Sequence, residues 1–563
     1  MPVTPSYPGL YIEEIPSNSH TITAAPTSVT VFIGYTHPYQ TVTFGQPVEI
    51  FSFADYERLF GGFFNSSWFE ADEAAGLFGD MAMAVYQFFQ NGGAVAYVVG
   101  LKSPAFPVTS QATVSCANVE FTSQVVVDSE YQLSLTVDNV VNAQGSPQNT
   151  PLIADLTITY APTSAAPAGA KPVTETYSRV NFAPAAANNP SSVISQINGT
   201  SQLVSVAFST ASPPVGLPQT LQNFESSMSS PPLSSPPTST SSVLICFGPA
   251  LKLPIASPTA TNANIFEAGD FTQAMQADSP LDKLAIFNLL VIPGVTNPAV
   301  LSSASSFCVL KRAFLIMDPP INDTPDGGVY GSGPTTAISF TGLATSKNSA
   351  LYFPYLQSNN PITGANIYIP PSGTVAGIYS EIDQNRGVWK APAGLETLLT
   401  NVTDLVPNGQ MTDQRQGVLN LQGINCIRNF PGVGVVVFGA RTSVSANPSF
   451  QDWKYVPVRR MALFLEQTLY ANLGWVVFEP NADPLWTAIR TSIESFMLGL
   501  FKQGAFQGDT PSDAFQVKCD NQTTTQDDIN NGIVNIVVAF APLKPAEFVV
   551  IQIAQLAGQT QTS

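Results

Sequence analysis

Two apolar segments with the pattern of extended strands lie near opposite ends of the chain, and neither has an evident partner close to it in sequence. Pro8 and Pro16 exclude helix on either side of residues 9–15, so this stretch is predicted to be an extended arm. Residues 547–554 predict a strand that is buried on both faces or pairs with another chain. Adding strands to sheets in neighbouring copies would satisfy their backbone groups, and pairing within the same chain is the alternative left open.

Composition favours strand-rich and turn-rich domains with a neutral, polar surface. The chain has 563 residues, which predicts about three to four folding units. Charged residues make up only 11% of it, and Ser, Thr, Asn, Gln and 47 prolines take their place. The net charge is −18, with 39 acidic and 21 basic residues, so the basic footprint of a nucleic-acid-binding protein is missing. We therefore expect no nucleic-acid partner.

The sequence carries no membrane or disulfide signature. No apolar run approaches the ~20 residues of a membrane span, and the opening residues lack the basic and apolar regions of a secretory signal. We expect the chain to be made and folded in the cytosol, with no direct membrane insertion. The cysteines are odd in number and form no C-x-x-C pair, so they are predicted to be buried free thiols rather than zinc ligands or a disulfide framework: Cys116, Cys246, Cys308, Cys426 and Cys519.

The pattern of apolar residues changes along the chain. An α/β unit is predicted first, with a strand at 28–34 and a helix that Ser52 opens as a capping residue. Residues 104–245 then show short alternating strands and a Ser/Pro/Thr-rich stretch at 226–242, which predicts a β-rich insertion with a linker. Strand and helix patterns resume after residue 245 and predict a small α/β domain. The fold class is therefore mixed α/β (α+β) with several domains.

The C-terminal part combines two helices with more than half of the basic residues. One predicted helix has Pro457 in its first turn, and the other begins at Asp483. The strands predicted after them are residues 533–541 and 547–554.

The residues needed for catalysis are scarce. His20 and His37 are the histidines of the chain, and both are predicted to lie in turns or at the surface. The glycine-rich stretch at 431–439 precedes a strand and lacks the Lys-Ser/Thr of a phosphate-binding loop, so it is predicted to be a tight turn into a core strand. We expect no enzyme activity and no catalytic, cofactor-binding or metal site.

Specific motifs, in order from both ends, resemble those of contractile tail sheath proteins. The resemblance covers roughly residues 5–100 and 245–555, and residues 104–245 contain no motif of the family. The matching motifs are YPGLYIEEIP at 7–16, TSVTVFIG at 27–34, PSGTVAGIY at 371–379, RGVWKAPA at 386–393, GINCIRNFPG at 423–432, GART at 439–442, YVPVRR at 455–460, FEPN at 478–481 with PLW at 484–486, QGA at 503–505, and PAEF at 545–548.

The resemblance implies a subunit that forms stacked hexameric rings around an inner tube and contracts from a metastable extended state. Its partners would be further copies of the chain, the inner tube protein, and baseplate and terminator or cap proteins. The particle would be a phage tail or an injection particle, either released from the cell or anchored at a membrane. The implied domains are an N-terminal arm (1–20), the N-terminal portion of the core domain (21–103), the outer insertion (104–245), the small α/β domain (246–335), the core C-terminal domain (336–545), and a C-terminal arm and tail (546–563).

The resemblance also implies which residues join the copies, whereas the tube-facing residues are a hypothesis from the basic enrichment of the C-terminal helices. The arm strands would contain Leu10, Tyr11, Ile12, Glu13, Glu14, Ile15, Phe548, Val549, Val550, Ile551 and Ile553. The receiving strand would contain Ile533, Val534, Ile536 and Val538. The candidates for facing the inner tube are Arg459, Arg460, Arg490 and Lys502.

Two other functional classes fit parts of the sequence. An exported β-rich adhesin or carbohydrate-binding protein would explain the charge-poor middle, although a signal peptide is missing. A hydrolase is disfavoured because no acid and base residues are grouped. The motifs do not distinguish a phage tail from a bacteriocin or a toxin-delivery particle.

Overall fold

The computed structural model alternates strands and helices along the chain and confirms the predicted fold class, mixed α/β with several domains. It describes residues 20–37, 41–63, 81–102, 113–116, 119–124, 131–142, 152–162, 172–182, 189–198, 200–208, 243–246, 267–319, 345–359, 361, 366–405 and 411–552. The described strands are β1 (Thr30–Tyr35), β2 (Pro47–Ile50), β3 (Ala96–Leu101), β4 (Thr113–Cys116), β5 (Val119–Ser123), β6 (Tyr131–Asn142), β7 (Leu152–Pro162), β8 (Val173–Asn181), β9 (Val204–Phe208), β10 (Val243–Cys246), β11 (Leu289–Val291), β12 (Phe314–Met317), β13 (Ser349–Phe353), β14 (Leu356–Asn359), β15 (Asn366–Ile369), β16 (Asp404–Leu405), β17 (Ile424–Phe430), β18 (Gly434–Val437), β19 (Phe515–Lys518) and β20 (Val537–Phe540). The described α-helices are α1 (Phe53–Phe60), α2 (Met81–Gln90), α3 (Val193–Ile197), α4 (Ala268–Ala274), α5 (Pro298–Lys311), α6 (Ser372–Arg386), α7 (Asp413–Leu421), α8 (Val456–Asn472), α9 (Asp483–Lys502), α10 (Pro511–Ala514) and α11 (Gln526–Asn530).

An eight-stranded sheet, which we call the main sheet, joins parts of the chain that are distant in sequence. Its order is β18-β17-β13-β12-β11-β1-β3-β2, with the inner strands parallel and the two edge strands antiparallel to their neighbours. Every residue of β1 is buried, because helices cover both faces of the sheet. Phe32 packs on the side of α2 and α6, whereas Val31 and Ile33 pack on the side of α4 and α5.

The main sheet corrects the predicted division into domains. Strands β11 and β12 lie in its middle, between β1 from the N-terminal part and β13 from the C-terminal part. The described part of the predicted small α/β domain, residues 267–319, therefore contributes its strands to the main sheet. Sequence patterning reveals that these segments alternate strand and helix, but it does not reveal which strands pair, since pairing depends on contacts far apart in sequence.

The described portion of residues 113–246 forms two antiparallel sheets of its own. One has the order β10-β6-β7-β8 and the other the order β4-β5-β9. Side chains from both sheets share one hydrophobic cluster that includes Phe121, Leu135 and Ile158. The stretch at 226–242 predicted as a linker lies outside the described residues.

The C-terminal helices α8 and α9 pack with the two-stranded sheet β19–β20 around a further hydrophobic cluster. The tight turn predicted in the glycine-rich stretch is confirmed, because Gly432 and Gly434 adopt positive φ angles of 78° and 111° between β17 and the buried strand β18. In the described portion of the chain, every helix is too short or too polar to cross a membrane.

A close approach of two helices makes α6 sensitive to added bulk, which yields a test of the fold. A Cβ at Gly373 would lie 2.4 Å from the carbonyl oxygen of Ala84 in α2. We expect Gly373→Ala to push the two helices apart and to destabilise the domain by about 1–3 kcal/mol. The control is Gly417→Ala in α7, where an added Cβ meets no atom within 4 Å.

The control replacement should raise stability slightly, because alanine favours helix over glycine by about 1 kcal/mol. Thermal unfolding of both variants measures the difference. Equal midpoints for Gly373→Ala and Gly417→Ala would contradict the close packing of α2 against α6.

Candidate functional site

The C-terminal apolar segment, Phe548–Ile551, lies on the surface of the chain. Its four side chains are between 72% and 82% exposed. No strand is assigned among the described residues after Phe540, so the predicted strand at 547–554 does not pair within the described part of the chain. The last predicted arm residue, Ile553, lies outside the described residues, as do Leu10, Tyr11, Ile12, Glu13, Glu14 and Ile15.

The residue that precedes this segment is firmly anchored. Both carboxylate oxygens of Glu547 accept hydrogen bonds from the guanidinium group of Arg441 at 2.7 Å. Asn420 donates to the same carboxylate at 2.9 Å, and the hydroxyl group of Tyr455 donates at 3.1 Å. We call these four residues the C-terminal clamp. They fix the point at which the apolar segment leaves the folded domain.

The clamp favours the ionised form of Glu547. Burial raises the pKa of its carboxyl group, but the hydrogen bonds from Arg441 and Asn420 outweigh burial and hold the pKa below its ordinary value of 4.5. Arg441 is only 6% exposed in its side chain, so it would be left buried and unpaired without Glu547. The clamp is therefore a charged contact inside the protein rather than a surface ion pair.

Residues 20–27, which we call the N-terminal root, run along α8. The backbone of Thr23 exchanges two hydrogen bonds with the side chain of Asn472, at 3.0 and 2.8 Å. The amide of Ala25 donates to the Thr468 hydroxyl group at 3.1 Å. Beyond the end of α8, the ring of His20 stacks on Trp475 with ring centroids 3.8 Å apart. The N-terminal root is thus held mainly by side chains of α8, and Asn288, which precedes β11, also donates to the carbonyl oxygen of Pro26 at 2.7 Å.

The small sheet β19–β20 has the properties of an acceptor for a further strand. β19 and β20 pair antiparallel with each other, and no third strand joins them among the described residues. The strand predicted at 533–541 is shorter in the structure, where β20 begins at Val537. Val538 lies within the ladder, and Val534 and Ile536 pack half-buried against the C-terminal cluster just before it. Ile533 is 46% exposed.

Two of the four predicted tube-facing residues are instead buried in the protein, so that hypothesis is wrong for Arg459 and Arg460. Their exposed fractions are 4% and 3%. Arg460 donates to both carboxylate oxygens of Asp383 at 2.8 and 2.6 Å. Arg459 donates to the side-chain oxygen of Asn348 at 2.7 Å. The basic enrichment suggested an exposed face, but α8 is packed on nearly all sides, and acceptors elsewhere in the chain pair both guanidinium groups.

The other two basic residues lie on α9 and are accessible to different degrees. Lys502 is exposed in the last turn of the helix. Arg490 is half-buried and donates to the backbone carbonyl oxygen of Cys519 at 3.1 Å. Twelve residues of helix separate them, which rotates their side chains by about a third of a turn. They therefore do not form a single basic stripe.

The groups that could support catalysis are not brought together in the described part of the chain. No cluster of three or more His, Cys, Asp or Glu residues there could hold a metal ion. Cys308, Cys426 and Cys519 are buried free thiols. His37, predicted to lie in a turn or at the surface, is only 3% exposed, and burial lowers its pKa to about 3.

Comparison with known families agrees with this arrangement of a sheet, helices and exposed terminal segments. Residues 272–443 match the phage tail sheath protein central domain, and residues 449–555 match the phage tail sheath C-terminal domain. The chain is 26% identical to the tail sheath protein of Burkholderia phage BcepMu over 226 residues, which are 39% of this chain and 46% of that protein. It thus spans less than half the length of this relative.

Solved structures share the fold across almost the whole chain. The helical sheath of the anti-feeding prophage in its contracted state has a TM-score of 0.54 at 22% identity, covering 98% of this chain and 100% of that one. The PVC sheath complex of an extracellular contractile injection system, also contracted, has a TM-score of 0.54 at 20% identity and covers 98% of both chains. The sequence motifs, the two matched domains and the shared fold all support the contractile tail sheath family.

Proposed function

We propose that this protein is the structural subunit of the contractile sheath of a phage tail or a phage-tail-like injection particle. Copies would stack as hexameric rings around an inner tube and shorten to drive the tube into a target. The observation that carries this proposal is an exposed apolar segment, Phe548–Ile551, that leaves a fixed clamp while an incomplete two-stranded sheet lies elsewhere on the same chain.

The donor segment, Phe548–Ile551, and the acceptor sheet, β19–β20, are different surfaces of the chain. This difference determines the kind of assembly that they build. Pairing of unlike surfaces is a head-to-tail contact, and such contacts generate rings or open helices. A strand added to β19–β20 would satisfy backbone groups through regular hydrogen bonds and would bury the apolar side chains of Phe548–Ile551. The N-terminal arm at 10–15 is proposed to add a second such strand.

The driving force of contraction needs no nucleotide in this mechanism. A gain of about 2 kcal/mol per copy corresponds to roughly 80 Å² of additional buried apolar surface. Summed over the many copies of a sheath, such a gain makes shortening irreversible in practice. The exchanged strands would keep neighbours connected while the rings rotate and slide against each other.

Further partners follow from the same proposal. The sheath would contact an inner tube, a baseplate and a terminator or cap, and the particle would be assembled in the bacterial cytoplasm. No enzymatic step is part of this function. The insertion at 104–245 would lie on the outside of the sheath as a surface decoration, since it forms sheets with a core of their own. The adhesin alternative gains no support from the domain matches at 272–443 and 449–555.

The proposed pairing of Phe548–Ile551 with the β19–β20 sheet of a neighbouring copy, which we call strand exchange, can be tested by removing backbone hydrogen-bond donors while keeping the segment. Val549 and Val550 are 80% and 82% exposed, so replacing both with proline should leave the folded chain intact. Proline cannot donate a hydrogen bond to a neighbouring strand. We expect Val549→Pro with Val550→Pro to abolish cylinders in negative-stain micrographs.

The matched control is Val549→Thr with Val550→Thr, which keeps β-branched side chains and backbone donors. This control should still form cylinders. If the proline variant also forms cylinders that shorten as connected units, the C-terminal segment is not an exchanged strand.

The C-terminal clamp predicts a pH dependence of stability. Because the pKa of Glu547 is lower in the folded protein than its ordinary value of 4.5, its contribution is complete above about pH 4.5 and is lost as the pH falls through the folded pKa. Glu547→Gln should therefore lower the midpoint of thermal unfolding at pH 7 but not at strongly acidic pH. A difference between wild type and variant that stays constant from neutral to acidic pH would argue against an ionised clamp.

We also propose that α9 contacts the inner tube through Lys502 and, more weakly, Arg490. Charge pairs can align two surfaces without burying a large apolar area. Such a contact suits a sheath that must slide along its inner tube. We expect Lys502→Glu with Arg490→Glu to reduce co-sedimentation of sheath with tube. The control is Lys283→Glu, a charge reversal at an exposed position distant in sequence. Normal co-sedimentation of the double variant would exclude α9 as the tube-facing element.

A further inference from the structure

Helix α8 contacts the starting points of both terminal segments. Near its last turn, Asn472 and Thr468 bind the backbone of Thr23 and Ala25 in the N-terminal root. Nearer its start, Arg460 donates to the carbonyl oxygen of Thr27 at 2.9 Å. The N-terminal root therefore runs antiparallel to α8, and its first described residue, His20, lies beyond the C-terminal end of this helix.

The C-terminal clamp lies at the opposite end of α8. Tyr455, which directly precedes the helix, donates its hydroxyl hydrogen to Glu547. Tyr455 also forms a backbone bridge with Arg441, and the amide of Val456 donates to the carbonyl oxygen of Ala440 at 2.9 Å. The clamp is thus attached to the first residue of α8 through both side chains and backbone.

Between these two ends, α8 is held rigidly in the protein. Arg459 binds Asn348, and Arg460 binds Asp383 in α6. Gln467 donates to the carbonyl oxygen of Phe287 at 2.8 Å and accepts from Asn288 at 2.6 Å. The helix has 17 residues. At 1.5 Å per residue it spans about 25 Å, so the two exit points are separated by a fixed distance.

We propose that α8 is a tie helix, by which we mean that it fixes the points where both exchanged segments leave the subunit. It thereby sets how much of each segment is free to reach a neighbouring copy. This inference rests on the proposed strand exchange. Detaching residues 23–25 from α8 would add about 10 Å of free chain to the N-terminal arm, since Asn288, outside α8, still holds the carbonyl oxygen of Pro26. A longer arm would let neighbouring copies move further apart before the exchanged strand holds them, so the direct contacts between rings would be lost and the sheath would break. Asn472, Thr468 and Glu547 are in this sense positioning residues for the lattice.

The test removes the contacts at one end of α8 while keeping the exchanged segments intact. Thr468→Val with Asn472→Ala deletes the acceptors of the Thr23 and Ala25 amides, and valine preserves the shape of the buried threonine. Hydrogen exchange of the full-length protein should be at least about tenfold faster at these two amides. Sheaths of this variant should form, but they should break into shorter pieces on contraction when imaged beside wild type.

The control is Ser302→Ala with Ser306→Ala on α5, which replaces two exposed hydroxyl groups that contact neither root nor clamp. It should exchange and contract like wild type. Glu547→Gln tests the other end of α8 and should also give broken contracted sheaths.

The outcomes separate this inference from the function on which it rests. If exchange at Thr23 and Ala25 is unchanged, or if it is faster but the variant contracts into unbroken cylinders of wild-type length, α8 is not the tie. Neither result affects strand exchange. If the Val549→Pro and Val550→Pro variant forms connected, contracting cylinders, strand exchange itself is wrong, whatever the α8 variants do.

Discussion

The ion pair between Arg460 and Asp383 fixes the relation between the main sheet and the C-terminal part of the chain. The two side chains are 3% and 1% exposed, so the charges are fully removed from water. Such a pair adds little net stability over an apolar contact, but removing one partner leaves an uncompensated buried charge. Its value here is geometric, because Arg460 also binds Thr27 and lies 4.7 Å from the ring centre of Tyr379. One guanidinium group thus positions α6, α8 and the N-terminal root together.

Local features of the fold followed directly from the sequence. Ser52 caps α1 by accepting from the Asp55 amide, and Gly61 ends that helix at a φ of 85°. Asn297 caps α5 in the same way, by accepting from the first-turn amides of Ala299 and Val300. The ends of these helices are set by residues within four positions in the sequence. The order of the main sheet is not, since β1 pairs with β3 on one side and with β11, more than 250 residues away, on the other.

The candidate site was only partly accessible to sequence reasoning. Composition identified basic residues near the C-terminus but could not distinguish Lys502, which is exposed, from Arg459 and Arg460, which are buried. The reason is that burial of a charge depends on an acceptor elsewhere in the chain, as Asp383 is for Arg460. The clamp was also missed, although the motifs GART and PAEF each contain one of its charged members. Each of these two motifs contains a single charged residue, and the two charges are opposite. This is a sequence signal that could have suggested the pairing of Arg441 with Glu547.

The distribution of charge explains how copies that repel each other could still join through strands. Each copy carries a net charge of −18, so contacts between copies occur against overall like-charge repulsion. Yet residues 529–543, which contain β20, have no charged side chain, and neither do residues 548–563. Repulsion between other surface charges is screened over about 8 Å at physiological salt. Glu547, the acid closest to the donor segment, is neutralised within its own subunit by Arg441. The C-terminal donor segment and β20 are therefore uncharged, whereas the proposed N-terminal arm contains Glu13 and Glu14 and β19 contains Lys518.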